Sequence, residues 1–257
     1  MSFWRYYIPF ETIVIRETQR YTRIWVQTIV PPAITMTLYF VIFGSLIGRR
    51  IGEMGGVPFV DYIAPGIIMM AVITNAYSNV VSSFFGAKFQ RHIEEILVAP
   101  VPNWVIILGY VAGGVGRGLL VGLVVTIVAS FFVSFRIHNL AVVVSVVALT
   151  SVLFALGGLI NAIFAKKFDD ISIVPTFILT PLTYLGGVFY TISMLPEFWQ
   201  KVSLVNPILY MVNAFRYGFL GQTDVPLAVA YALIIGFIVV LFCFCLWLIN
   251  RGTGIRT

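Results

Sequence analysis

Long charge-free runs alternate with short polar breaks along this chain, and the alternation predicts its architecture. Apolar stretches cover residues 24–48, 62–87, 96–135, 139–165, 171–196 and 225–250. Each can hold the roughly 20 residues that cross a bilayer, and inside hydrocarbon a helix satisfies its own backbone polar groups. The third stretch contains one charge, Arg117. Pro100 and Pro102 break the chain ahead of it, and residues 104–116 are too few to cross alone, so a single long helix with Arg117 inside is expected. The predicted fold class is an all-α polytopic membrane protein with six transmembrane helices. One domain occupies residues 1–257, with an amphipathic interface helix at 1–24 and the six-span body at 25–257.

Three segments depart from the plain apolar helix. In the first, Phe10, Val14, Tyr21 and Trp25 share one helical face while Arg16, Arg20 and Arg23 form a stripe on another. That pattern suits a helix lying in the membrane interface, and it also suits an ordinary basic flank of the first span. In the second, residues 88–100, Phe89, Ile93, Ile96 and Leu97 fall on one arc and Gln90, Arg91, Glu94 and Glu95 on the other, with Arg91 and Glu95 spaced to pair. This reads either as a docking helix at the membrane base or as a solvated loop helix. In the third, residues 194–222, Asn206 followed by Pro207 is a helix start and Gly221 a stop, which predicts two short helices dipping into one leaflet.

Composition agrees with lipid as the solvent. The chain is 60% apolar and 10% charged, against about 25% charged for soluble domains, and its mean hydropathy is +1.01. The formal charge of +6 sits in the breaks between apolar runs, which points to anionic lipid and not to nucleic acid. Arg5, Arg16, Arg20, Arg23, Lys88, Arg91, Lys166, Lys167, Arg251 and Arg256 fall on one side of the predicted membrane. Arg49, Arg50, Arg136, Lys201 and Arg216 fall on the other. The richer side is expected to be cytoplasmic, with both termini there. Trp25, Tyr62, Trp104, Tyr190, Tyr231 and Trp247 lie near span ends, as interfacial aromatics do. The first 20 residues carry charges throughout and no apolar centre, so no cleavable signal is read and the first span is expected to direct insertion. Cys243 and Cys245, two apart, would face different sides of the last helix and act as small apolar side chains, without disulfide or metal.

Polar residues within spans are the candidates for chemistry. Asn75, Asn79 and Ser82 follow i, i+4, i+7 and could line a route or hold helices together. Arg117 is costly in hydrocarbon and is expected toward the cytoplasmic third of its helix, at a polar cavity or snorkelling. Pro31, Pro32, Pro175 and Pro181 are hinges or inert kinks, and Gly113, Gly114, Gly116 and Gly118 permit close helix contact. All ten carboxylic residues fall in loops or interfacial segments, which disfavours the alternative of an ion-coupled secondary transporter. No catalytic cluster or metal spacing is seen, and there is no Gly-Lys pair for a nucleotide-binding loop.

The stretches HIEEILVAPVPNWVIILGYV, residues 92–111, and SLVNPILYMVNAFRYGFLG, residues 203–221, resemble the type-2 ABC exporter permeases. The first carries that family's acidic pair, apolar step and proline ahead of the third helix; the second carries its Asn-Pro-x-x-Tyr element and a following basic residue, here Asn206, Pro207, Tyr210 and Arg216. The resemblance implies a homodimer in lipid of the bacterial inner membrane, each protomer binding one cytoplasmic ATPase subunit that holds ATP and Mg. It implies that residues 88–98 form a coupling helix seated in the ATPase and that the N-terminal helix also touches it. It further implies that spans one, two and five border the route of an amphiphilic, lipid-like, drug-like or glycan cargo. An outer re-entrant hairpin would help close that route.

Overall fold

The computed structural model describes residues 4–134 and 137–254. Arg136 and Arg256 of the charge balance and Phe135 of the third stretch lie outside them, as do the side chains of Arg5, Arg49 and Leu97. Helix α1, Trp4–Arg23, gives way at Ile24 (φ −105°, ψ 36°) to α2, Trp25–Tyr39, which continues as π-helical turns over Phe40–Ile47. A short α3, Gly48–Ile51, and a two-stranded hairpin, Glu53–Met54 with Val57–Pro58, lead into α4, Phe59–Phe89. Then follow α5, His92–Val98, α6, Asn103–Ala129, and α7, Leu140–Phe164. Further along come α8, Asp170–Val174, α9, Thr180–Tyr184, α10, Glu197–Val205, α11, Pro207–Leu220, and α12, Leu227–Arg251.

Among the described residues, five helical segments are long and apolar enough to cross a membrane: Trp25–Gly44, Phe59–Phe89, Asn103–Ala129, Leu140–Phe164 and Leu227–Arg251. The single long third helix is present as α6, starting just after Pro102 with Arg117 at mid-length. The expected span at 171–196 is shorter than the pattern suggested. It is a rod of α8, π turns over Pro175–Leu179, and α9, ending at Tyr184. Pro175 and Pro181 lack N–H donors, so an unbroken α ladder is impossible and the rod widens between them. Gly187 (φ +70°) then turns the chain. At 1.5 Å per residue the rod is about 22 Å long, against about 30 Å of hydrocarbon.

The core is built around α4, which packs on α6, α7 and α11 and is buried along most of its length. Glycines let α6 approach: a Cβ on Gly114 would fall 2.6 Å from Val80 and 2.9 Å from Ala155, and one on Gly118 would fall 2.8 Å from the Ser151 hydroxyl. In contrast α2 and α12 show most of their apolar surface, and Cys243 is exposed while Cys245 is buried on the opposite face.

Helix ends gather into two groups. At one end the Lys88 ammonium donates to the carbonyls of Ile163 (2.6 Å) and Ala165 (2.7 Å), Asn103 meets Asn250 (2.6 Å), and Phe89 packs on Phe168. The other end joins the start of α7 to the close of α11, through Asn139 N–H to the Gly218 carbonyl at 2.8 Å.

Candidate functional site

The first constellation lies at the lysine-bearing end, where α1 runs beside α6. Ile13, Glu17 and Tyr21 recur at helical spacing and are buried. Opposite them stand Gly109, Gly113 and Gly116, where an added Cβ would fall 2.7, 2.5 and 2.9 Å from Ile13, Glu17 and Tyr21 respectively. Only glycine leaves room for α1 at this distance, so the glycine-rich reading of α6 holds, with α1 as one of the partners. The apolar face expected for α1 is changed in part. Tyr21 is buried and Phe10 and Val14 are half-buried, but Trp25 is 57% exposed because the kink at Ile24 rotates it away.

Glu17 is the residue that sequence reading missed as a site. Its carboxylate is fully buried between α1, α4 and α6. Ser83 donates to it, the Arg20 guanidinium approaches to 3.3 Å and that of Arg16 to 3.6 Å. Arg16 also donates to the Tyr110 hydroxyl at 2.6 Å, and Arg20 donates to both the carbonyl and the side-chain oxygen of Asn79 at 2.8 Å. A buried carboxylate needs opposite charge and hydrogen bonds together, and this one has both. The basic stripe of α1 is therefore divided: Arg16 and Arg20 bond to Glu17, Tyr110 and Asn79 while still reaching water, and Arg23 is exposed without such bonds among the described residues.

These bonds also assign part of the polar stripe on α4. Asn79 is buried and taken by Arg20, and Ser82 accepts from Arg20 at 3.3 Å. Asn75 donates within its own helix to the Ala71 carbonyl. Two of the three thus make side-chain hydrogen bonds between α1 and α4. Arg117 is half-buried at mid-helix, not in the first third of α6, and its Nε has no hydrogen-bond partner among the described residues.

The segment after α4 forms a shorter helix than its periodicity suggested. Gln90 caps α4, Arg91 takes a left-handed conformation (φ 63°), and α5 begins only at His92. Gln90 and Arg91 therefore form the turn, and Arg91 makes no ion pair with Glu95 among the described residues. The amphipathic division survives on α5 itself: Ile93 is buried, Ile96 half-buried, and Glu94 and Glu95 are exposed. A left-handed residue with a Cβ is strained by roughly 1 kcal/mol relative to glycine. Arg91→Gly is expected to raise the thermal midpoint of the purified protein by about 1–3 °C. A fall would mean that the arginine side chain, not the backbone, fixes the turn.

The second constellation lies at the opposite end. Asn206 caps α11, accepting from the Ile208 N–H at 3.0 Å, with Pro207 in the first turn and Gly221 (φ +71°) closing the helix, as expected. Asn206 also donates to the Leu182 carbonyl at 2.6 Å, and Tyr210 donates to that of Leu204 at 2.8 Å. Arg216, counted above as a loop charge, is 1% exposed. It donates to the carbonyls of Gly187 (2.7 Å) and Tyr62 (3.2 Å) and lies 4.0 Å from the centre of the Tyr62 ring. Tyr62 is thus buried beneath a guanidinium and is not an interfacial anchor.

Similarity to known proteins gives this geometry its class. Residues 9–220 match the ABC-2 type transporter family, so the chain belongs to that family. It is 60% identical over 252 residues, 98% of each chain, to the inner membrane transport permease YadH of Escherichia coli (strain K12). It is 26% identical over 209 residues to nodulation protein J of Sinorhizobium fredii (strain NBRC 101917 / NGR234), covering 81% of this chain and 80% of the relative. Nodulation protein J of Rhizobium meliloti (strain 1021) is 24% identical over 186 residues, 72% of this chain and 71% of the relative. The chain is a multi-pass transport permease of the inner membrane.

Proposed function

We propose that the chain is the membrane subunit of an ATP-driven exporter. It works as a homodimer whose protomers each seat one cytoplasmic ATPase subunit, which binds ATP and Mg. The observation that carries this reading is α5: a short helix packed on α4, with Ile93 sunk into the body and Glu94 and Glu95 left outside, in an ABC-2 permease. Such a helix transmits force because its buried side is fixed while its charged side is free to dock.

In this reading the end bearing Lys88, Lys166, Lys167 and Arg251 faces the cytoplasm, in keeping with its excess of basic residues. The chain crosses six times, the rod from Asp170 to Tyr184 being the fifth and thinnest crossing. Helices α10 and α11 form the outer re-entrant hairpin. The cargo is an amphiphile of lipid-like, drug-like or glycan character.

The test is co-expression with the ATPase, co-purification, and ATP hydrolysis in proteoliposomes. Replacing Glu94 and Glu95 by lysine is expected to weaken association with the ATPase by about three- to tenfold, as exposed charges permit, with membrane insertion unchanged. Full association and hydrolysis in that variant would remove α5 as the coupling element. Transport driven by a proton gradient without ATP would favour ion coupling.

A further inference from the structure

Between α1, the end of α4 and the turn into α5 lies a cleft of about 920 Å³, within the size range of roughly 300–1,000 Å³ typical of ligand pockets. Its lining includes Arg16, Gln19, Arg20, Arg23, Gln90 and His92 and carries no carboxylate. Behind the wall, Glu17 engages Arg16 and Arg20. Arg23 has neither ion pair nor hydrogen bond to another described side chain. Three guanidinium groups thus line the cleft with one carboxylate behind it, and the Nε of Arg20 is buried without a partner among the described residues. Arg16 and Arg23 stay exposed at the cleft, and a concave surface of one sign with so little countercharge concentrates anions.

We infer that this cleft binds the phosphate group of an anionic amphiphile. The cleft's rim at Arg23 and Ile24 runs directly into the lipid-type surface of α2, where Trp25, Val26, Ile34 and Leu38 are exposed. Phosphate oxygens match guanidinium donors in number and geometry. Acyl or polyprenyl chains of the same molecule would lie along α2. An acidic segment of a soluble protein would satisfy the arginines but would have no use for the adjoining apolar face.

The inference stands apart from the coupling role, since binding is measured without any ATPase. The protein is purified into nanodiscs of phosphatidylcholine with increasing phosphatidylglycerol, and retained lipid is counted by native mass spectrometry. Wild type is expected to retain phosphatidylglycerol over phosphatidylcholine. Arg23→Gln, which breaks no contact within the fold, weakens that preference about tenfold, the loss of one charge-assisted hydrogen bond. Lys167→Gln, removing an exposed charge at the same end, leaves it unchanged. A second arm adds inorganic phosphate to phosphatidylcholine nanodiscs: binding that depends on Arg23 assigns the site to the free anion as well, and its absence confines it to lipid. Equal retention of the two lipids, or equal losses in the Arg23 and Lys167 variants, would overturn the inference.

Discussion

Arg216→Leu is expected to lower the stability of the protein by about 3 kcal/mol and to loosen the hairpin end of the fold. Arg216 is buried with three acceptors: the carbonyls of Gly187 and Tyr62 and, at 3.4 Å, the side-chain oxygen of Asn213. Leucine leaves the Gly187 carbonyl without its donor, at a cost of roughly 1–3 kcal/mol, takes the second donor from the Tyr62 carbonyl, which the ladder of α4 still serves, and abandons the Tyr62 ring. The Gly187 carbonyl belongs to the turn that ends the rod after α9, so the same change frees that turn from α4 and α11. Arg216→Lys keeps the charge but not the planar fork, and should fall between the two. Thermal unfolding in detergent gives the ranking. Hydrogen exchange at residues 185–190 should accelerate in the leucine variant. A leucine protein as stable as wild type, with slow exchange there, would show that apolar burial alone holds this end.

What the sequence made readable, and what it did not, divides along the range of the interactions involved. The start of α11 was legible because its signals are local: Asn206, Pro207 and Gly221 act within a few residues of themselves. The length of α6 was legible for the same reason, since Pro102 sets its start and hydrophobicity carries it through Arg117. The early end of the rod had a local signal as well, the pair Gly186–Gly187 after two prolines, but a continuous apolar run hid it. The break between α4 and α5 had none: Arg91 adopts a glycine-like angle without being glycine.

The sites proper are tertiary. Arg216 meets a carbonyl 154 residues away, and Ser83 reaches Glu17 across 66. No periodicity in one segment could show that a loop acid and a loop base were both interior. A faint clue existed in Glu17 standing between Ile13 and Tyr21 on one face, opposite glycines of matching spacing in α6. The buried carboxylate also bears on the ion-coupled alternative, which lacked one. Glu17 is held by two arginines on α1, outside the spans, which suits a fixed countercharge better than a carrier that must change its charge.

Glu17→Ala is therefore expected to undock α1 while leaving the spans inserted. Removing one partner of a buried pair costs about 3–5 kcal/mol when the other charge stays buried. Arg16 and Arg20 reach water in part, with side chains 45% and 31% exposed, so the loss here is set below that range, at about 2–3 kcal/mol. Loosened α1 should be cut by trypsin after Arg16 and Arg20 far faster than in wild type, with α4 and α6 protected. Gly113→Val should give the same cleavage by a different cause, since a Cβ there would fall 2.5 Å from that of Glu17. A conservative change at Glu17 and Gly113→Val part company in lipid binding. Glu17→Gln, which keeps an acceptor for Ser83, removes the one carboxylate among the guanidiniums and should strengthen retention of phosphatidylglycerol even as it weakens docking of α1. Gly113→Val leaves the charges as they are and, by displacing α1, should weaken retention. Opposite signs in those two measurements separate electrostatics from packing at this junction; a shared sign would mean that Glu17 acts there only by filling space.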